Sequence, residues 1–485
     1  MELKVLESWL FEAANILRGP VDQSDYKAYI FPMLFLKRIS DVYDEEKCES
    51  IELYGEDFAE DHRFIIPEGC HWNDIRETTI NVGQKISIAM REIEKTNPNT
   101  LYGIFGDTQW TNKEKLPDSL LTDLVEHFSK YKLSNENVTP TTMGDAYEYL
   151  IKKFADLSNK KAGEFYTPRS VVRLMTMILD PQEGKSVYDP ACGTGGMLLE
   201  AIDYLKSRDK EYRSLKLFGN EKNLTTSAIA RINMFLHDIE DFNIVRTDTL
   251  RDPVFYEKDK LTKFDLVIAN PPFSLKKWGY EEWKNDERNN LGVLPPQQYG
   301  DFAWVLHMLH SLNENGRMAV VLPHGVLFRS GSEQKIRRKL LELDYFEAVI
   351  GLAPNLFYGT NILTSILILN KNKSDYRKGK VQFIDASKIY KIGRAQNYLL
   401  DSHIKEIFEL YSKFEEIQYK SSVVSLEEIR NNDFNLNIIR YVDEPIKDDG
   451  ISLEQAYEEM MKSIQESLKA DEAIIEMLKE SGGAN

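Results

Sequence analysis

Seven short apolar runs, at residues 186–189, 215–219, 243–247, 264–269, 317–322, 346–352 and 364–370, alternate with amphipathic stretches near 197–207, 224–237, 302–313 and 333–343. The runs have the length of strands, and the stretches between them place apolar residues at helical spacing. Such alternation leaves few folds open. Each strand–helix–strand unit buries its helix against a growing sheet, so the expected class is α/β, a seven-stranded doubly wound Rossmann-like sheet. Ligands of such sheets bind beyond the carboxyl ends of the strands, where the strand order reverses. The residues that follow each strand are therefore the candidate site.

The flanks read differently. In the first part Leu3, Leu6, Leu10, Ala13 and Leu17 recur at helical spacing, an apolar run spans 29–43 with Pro32 near its start, and 144–157 forms a further amphipathic stretch. The last part is acidic and helical in pattern. Leu453, Tyr457, Met460, Ile464, Leu468, Ile475 and Leu478 fall near a 3.5-residue spacing, a stripe suited to docking on a partner's helices. Three domains are expected: 1–155, 156–400 and 401–485.

Composition excludes several classes. No stretch approaches the roughly 18 uncharged apolar residues of a membrane helix. The N-terminal amphipathic stretch carries Glu7 and Glu12 and is no signal peptide, so a cytoplasmic protein with no membrane partner is expected. Cys48, Cys70 and Cys192 are odd in number and far apart, and the histidines show no ligand spacing, so neither a disulfide scaffold nor a metal site is expected. Acids outnumber bases 78 to 61, a net charge of −17. A chain that grips DNA alone is usually basic, because phosphate neutralisation drives affinity; an acidic one needs a local basic surface or a basic partner.

The first strand runs into Asp189-Pro190-Ala191-Cys192-Gly193-Thr194-Gly195-Gly196. Glycines allow a tight turn and close approach of a ligand. A phosphate-binding loop would need Lys-Ser/Thr after the last glycine, and a dinucleotide fingerprint a small residue where Leu198 stands. An acid at the strand end suits a cationic ligand instead, and S-adenosylmethionine (SAM) carries a sulfonium and an ammonium. Glu221, after the second strand, is placed for ribose hydroxyls, and Asp248, followed by Thr249 after the third, for an adenine amine. Either acid could equally be a solvated strand end or a helix cap.

The fourth strand, FDLVIA, leads directly into Asn270-Pro271-Pro272-Phe273. The prolines fix φ and hold the turn extended. An exocyclic adenine amine is a poor nucleophile because its lone pair is delocalised. The Asn270 side-chain oxygen and the Pro271 carbonyl can accept its two N–H bonds and draw the nitrogen toward tetrahedral geometry, which is orientation and electrostatics rather than base catalysis. Phe273 would stack on a base flipped out of the duplex. Upstream, Glu164, Phe165, Tyr166, Thr167 and Pro168 form either a plain loop or a lid over the ligand.

The order GEFYTP, DPACGTGGM, NPPF resembles the amino-methyltransferases that place the SAM motif before Asn-Pro-Pro. Three later segments, LPHGVLFRSGSEQKIRRKLLE, VIGLAPNLFYGTNILTSILILNK and IYKIGRAQNYL, together with the N-terminal 6–44, resemble the modification subunit of type I restriction–modification systems, over nearly the whole chain. The resemblance implies that Tyr166, Thr167 and Pro168, Asp189, Gly193 and Gly195, Glu221 and Asp248 contact SAM. It implies that Asn270, Pro271 and Phe273 carry catalysis, with Asn favouring adenine N6 over cytosine N4. Their neighbours Glu164, Phe165, Pro190, Ala191, Thr194, Thr249 and Pro272 complete the candidate set, and Asn270 also borders the cofactor. It further implies double-stranded DNA as substrate, a specificity subunit that chooses the target sequence for two modification subunits, and a motor and nuclease subunit that can join. Leu363 departs from the family's proline after Gly-Thr-x-Ile and leaves that loop less constrained. Lys276, Lys277 and the run Arg337-Arg338-Lys339 are candidate DNA contacts. Two other classes stay open on residues alone: a methyltransferase of glutamine amides in proteins, and a non-catalytic scaffold.

Overall fold

The computed structural model describes residues 1–157, 167–357, 360, 362–394, 396–443 and 452–480. The N-terminal part is helical: α1 (Leu3–Ile16), α2 (Tyr26–Tyr54), α3 (Trp72–Arg76), α4 (Val82–Thr96), α5 (Asp118–Phe128) and α6 (Pro140–Leu157). α1 buries Leu6, Leu10 and Ala13 of the expected stripe. Pro32 lies inside α2 and has no N–H to offer the carbonyl one turn back, that of Ala28. The Thr108 hydroxyl donates to that carbonyl instead, at 2.8 Å, which lets the helix run through the proline.

The chain continues with α7 (Arg169–Leu179), β1 (Ser186–Asp189), α8 (Gly196–Lys206), β2 (Lys216–Glu221), α9 (Leu224–Leu236), β3 (Phe242–Arg246), the small hairpin β4 (Tyr256–Glu257) and β5 (Lys260–Leu261), and β6 (Phe264–Ala269). Then come α10 (Asp301–His310), β7 (Leu312–Pro323), α11 (Ser332–Glu342), β8 (Phe346–Gly351), β9 (Thr364–Asn370), β10 (Lys380–Asp385), α12 (Asp401–Lys413), β11 (Ser421–Ser425) and α13 (Leu426–Asn431). The sheet order is β11-β10-β8-β9-β7-β6-β1-β2-β3. β3, β2, β1, β6 and β7 run parallel, and β9 lies antiparallel between β7 and β8.

All seven expected strands are present, but among the described residues the sheet has nine, so it does not end at Asn370. β10 escaped notice because Gln382 interrupts its apolar run. That side chain is fully buried, and its amide donates to Leu410 O at 2.8 Å and Ser421 Oγ at 3.0 Å. β11, rich in serine, has no strand-like pattern. Residues 401–442 therefore belong with the sheet, and the chain divides into compact units Met1–Val442 and Asp443–Asn485. The boundary expected at 400 falls inside the first unit.

Within that unit the apolar core of the helical part takes in one face of α9, while the two faces of the sheet carry cores of their own. Ile229, Ile232, Phe235 and Leu236 of α9 pack with α1, α2 and α6. Gly144 lets α6 approach α9, since a Cβ there would sit 2.6 Å from the His237 ring. The second unit carries α14 (Leu453–Glu480), with Tyr457, Met460, Ile464, Leu468 and Ile475 all exposed. Among the described residues no helix is long and apolar enough to cross a membrane.

Candidate active site

From β1 the chain lays β2 and β3 on one side, then returns to lay β6 on the other. The order reverses between β1 and β6, and parallel pairing (Val187 with Leu266, Tyr188 with Val267) brings their carboxyl ends together. Asp189 and Asn270 therefore meet at the switch point, where such sheets bind ligands.

After β1 the backbone turns through Gly193 (φ 54) and Gly195 (φ 82), conformations that favour glycine. Hydrogen bonds hold the turn: Cys192 N–H to Asn220 O at 2.8 Å, Gly195 N–H to Cys192 O at 2.8 Å, Asn233 Nδ2 to Thr194 O at 3.0 Å, and Thr249 Oγ1 to Pro190 O at 2.7 Å. Gly195 also allows close packing, since a Cβ there would lie 2.7 Å from Met234 Cε. Asp189 is 1% exposed, and its Oδ1 accepts from Ala191 N–H at 3.0 Å. Burial, with the charge of Glu221 adding to it, pushes its carboxyl up to about 8 against the Ala191 bond. Such a group ionises readily only beside a cation.

Asn270 closes β6. Its Nδ2 donates to Thr167 Oγ1 at 2.9 Å, while its Oδ1 is buried and has no partner among the described residues. It stands between two clefts. One, with about 590 Å³ of free space, is bordered by Thr167, Asp189, Gly193, Thr194 and Asn233. The other, of about 1420 Å³, is bordered by Glu221, Asp248, Thr249, Pro272, Leu275 and Trp304. Pro190 and Ala191 line the second cleft too. Pro168 caps the start of α7. Glu164, Phe165 and Tyr166 lie outside the described residues.

Glu221 is the last residue of β2. Burial raises its carboxyl above the usual range, partly offset by hydrogen bonds from the Asn223 and Gly193 backbone N–H groups. Asp248 is not free: Lys222 Nζ sits 2.8 Å from its Oδ2 and Arg251 Nε 3.8 Å. Phe273 is half-buried and packs edge-on against Phe357, ring centroids 6.3 Å apart.

Several supporting residues gave no signal in the sequence. Ser274, just past the turn, has φ 50, and its N–H is held by Oδ1 of the fully buried Asp301 at 2.7 Å. Arg329 Nη1 pairs with the other oxygen at 3.1 Å. Beneath the second cleft runs a buried chain: Arg288 Nη1 to His307 Nδ1 at 3.1 Å, His307 Nε2 to Tyr188 Oη at 2.9 Å, and Tyr188 Oη to Asn220 Oδ1 at 2.7 Å. Burial holds His307 well below its usual range, so its ring is neutral, accepting at Nδ1 and donating at Nε2. Arg288 also donates to the carbonyls of Thr249 and Leu250, which fixes the loop after β3. Trp304 borders the cleft with a buried Nε1 that has no partner among the described residues. These contacts join segments far apart in sequence, which no local pattern reports.

The basic run expected to meet DNA is corrected at Arg337. Arg337 is 1% exposed, and its guanidinium donates to the carbonyls of Phe434, Val326 and Arg329 at 2.8–3.1 Å. Arg338 pairs with Glu342 at 2.8 Å, and Lys339 donates to the Leu291 carbonyl. Arg337 is thus committed to the interior, whereas Arg338 stays on the exposed face of α11. Lys276 and Lys277 are exposed beside the Asn-Pro-Pro turn.

Comparison with known proteins agrees with this architecture. The model of the N-6 DNA Methylase family matches residues 139–449, and that of the HsdM N-terminal domain residues 6–128. The type I restriction enzyme MjaVII methylase subunit of Methanocaldococcus jannaschii is 33% identical over 492 residues, covering 94% of this chain and 80% of the relative. The MjaIX methylase subunit of the same organism is 29% identical, covering 98% and 90%. The type I restriction-modification system methyltransferase subunit from Streptococcus thermophilus has the same fold at TM-score 0.80 and 33% identity, covering 92% of this chain and 100% of that one. Fold and matches together define an adenine-specific DNA methyltransferase. Within that class the chain belongs to the N-6 DNA methylase family, as a methylase subunit of the type I restriction-enzyme kind, the family its motif order resembles.

Proposed function

We propose that this chain methylates N6 of a flipped-out adenine in double-stranded DNA with SAM as donor, at Asn270, and that a partner subunit selects the target. The observation that carries the reading is the Asn270 amide: its nitrogen is spent on Thr167, and its buried oxygen is left without a partner among the described residues. An unpaired buried acceptor costs about 1–3 kcal/mol, a cost that a substrate amine would relieve.

The residues present fit SAM. The glycine turn leaves room for a ligand against the backbone, buried Asp189 calls for a cation, and Glu221 with Asp248 and Thr249 lines the larger cleft. Thr167, Asp189, Gly193, Thr194 and Gly195, with Glu164, Phe165, Tyr166 and Pro168 upstream, would hold the amino-acid end. Pro190, Ala191, Glu221, Asp248 and Thr249 would hold the adenosine. The Lys222 partner of Asp248 is exposed and can yield to an adenine amine. SAM supplies an electrophilic methyl group when bound. The protein's part is to make the amine nucleophilic. Asn270 Oδ1 and the Pro271 carbonyl accept the two N6 hydrogens and free the lone pair, Phe273 stacks on the ring, and Thr167 keeps Oδ1 from rotating away. Pro272 keeps the turn rigid.

With a net charge of −17, the chain is a poor DNA binder by itself. A specificity subunit would supply sequence reading and much of the phosphate contact, with two copies of this chain around it, a restriction subunit joining for cleavage, and Lys276 and Lys277 as local contacts. The helical N-terminal domain, 1–155, would dock DNA or partner, and the exposed apolar stripe of α14 would dock the specificity subunit. The complex would work in the cytoplasm. The test is transfer of labelled methyl from SAM to double-stranded DNA by this chain, with and without the specificity subunit, and by Asn270→Ala. Label on adenine N6 that requires the partner and disappears in the variant is the expected result. Equal labelling without the partner overturns the division of labour, and label retained by the variant overturns the role of Asn270.

A further inference from the structure

Asn233 sits in α9 between Ile232 and Met234 and is 1% exposed. A polar amide in such a helix face is costly unless both its ends are satisfied. Only one is. Its Nδ2 donates to Thr194 O, within the glycine turn, at 3.0 Å, whereas its Oδ1 is buried without a partner among the described residues. A leucine would fill the same space at less cost, so holding the turn does not account for the free oxygen.

The surroundings identify what that oxygen accepts from. Asn233 borders the smaller cleft together with Asp189, Thr194 and Asn270. Asp189 contributes a carboxyl that ionises readily only beside a cation. The one basic side chain on that cleft's wall among the described residues, Arg169, is already paired with Glu148 and, at 3.4 Å, with Glu200. The cleft thus offers acceptors and negative potential, and calls for a cation with N–H donors. A sulfonium is cationic but has no N–H to give; an α-ammonium has three.

Resting on the SAM reading above, we infer that Asn233 is a binding residue for the α-ammonium of the cofactor's amino-acid end, its Oδ1 accepting one ammonium N–H while its Nδ2 holds the turn in place. An alkyl group offers neither the donor to the turn nor the acceptor for the ammonium, whereas a carboxylate offers the acceptor alone. Asn233 thereby discriminates the intact cofactor from adenosine thioethers that lack the amine.

The test is calorimetric binding to the full chain of three ligands: S-adenosylhomocysteine, its desamino analogue, and 5′-methylthioadenosine, which has no amino-acid end. In the parent protein the amine strengthens binding by about tenfold or more, the size of one hydrogen bond to a charged group. In Asn233→Leu the difference between S-adenosylhomocysteine and its desamino analogue shrinks severalfold, leaving what Asp189 supplies, while any loss from the freed turn falls equally on all three ligands. Asn233→Asp, which keeps an acceptor, retains the difference. The inference is overturned if Asn233→Leu weakens all three ligands by the same factor, so that the amine's contribution is undiminished, which is the mark of a turn-holding role alone. A parent chain that binds none of the three overturns the SAM reading and this inference with it. Activity is not needed for any of these measurements.

Discussion

Asn270 Nδ2 and Thr167 Oγ1 lie 2.9 Å apart, joining the end of β6 to the loop before α7 across 103 residues of sequence. An amide held at its nitrogen presents its oxygen in one direction only. Thr167→Val keeps the volume and removes the acceptor, which frees the amide to rotate. The expected outcome is a fall in kcat of about 10–100-fold, roughly 1.4–2.7 kcal/mol, exceeding any loss of affinity for S-adenosylhomocysteine through Thr167's own cofactor contact. Steady-state kinetics beside calorimetry separates the two. A matching loss of affinity would mean that Thr167 acts on the cofactor rather than on Asn270.

Asp189 gives the site a pH dependence. Its folded-state carboxyl is pushed up to about 8 by burial, from an ordinary 3.8. A bound cation favours the carboxylate, so cofactor binding below pH 8 releases a proton, and affinity falls by up to about tenfold per unit as pH drops from 8. Calorimetry in buffers of different ionisation enthalpy reads that proton directly. Asp189→Asn abolishes the release and weakens binding.

The same group sets stability in the opposite sense. A carboxyl raised in the folded state contributes stability that is full below the unfolded value and lost as pH rises toward the folded one, so the ligand-free chain loses stability between about pH 4 and 8. Asp189→Asn keeps the Ala191 contact and carries no charge. At pH 9 it should melt higher than the parent without ligand, and gain less from added cofactor. A melting temperature for the variant below the parent's at pH 9 would contradict the burial argument.

Neighbouring glycines in the turn should respond differently to one methyl group. Gly195 has φ 82, and a Cβ there would lie 2.7 Å from Met234 Cε; a Cβ at Gly196, the first residue of α8, would meet open space. Gly195→Ala should cost about 1–3 kcal/mol and lower cofactor affinity, whereas Gly196→Ala should be neutral or slightly stabilising. Thermal melts of both variants check the contrast.

Removal of residues 443–485 deletes a unit separate from the sheet-bearing one. The shortened chain should bind S-adenosylhomocysteine as the full chain does, and should fail to co-purify with the specificity subunit. Unchanged co-purification would remove α14 from the docking surface.

What could be read locally was settled by local physics. Strand–helix alternation announced the α/β sheet, because short apolar runs and helical spacing are written residue by residue. The end of FDLVIA and the glycine turn marked Asn270 and Asp189, because prolines and glycines restrict the backbone within a few residues. The tertiary structure decided the rest. Gln382 became part of a buried strand only because the Leu410 carbonyl and the Ser421 hydroxyl come to take its two amide hydrogens. Arg337, a basic-patch residue by composition, became an internal tie because the Phe434 carbonyl, 97 residues on, joins those of Val326 and Arg329 around it. Which oxygen of the site is left unpaired, on Asn270 or on Asn233, depends on Thr167 and Thr194 arriving from other segments. Hydrogen-bond satisfaction is a property of three-dimensional neighbours, and the sequence alone determines only which groups will need them.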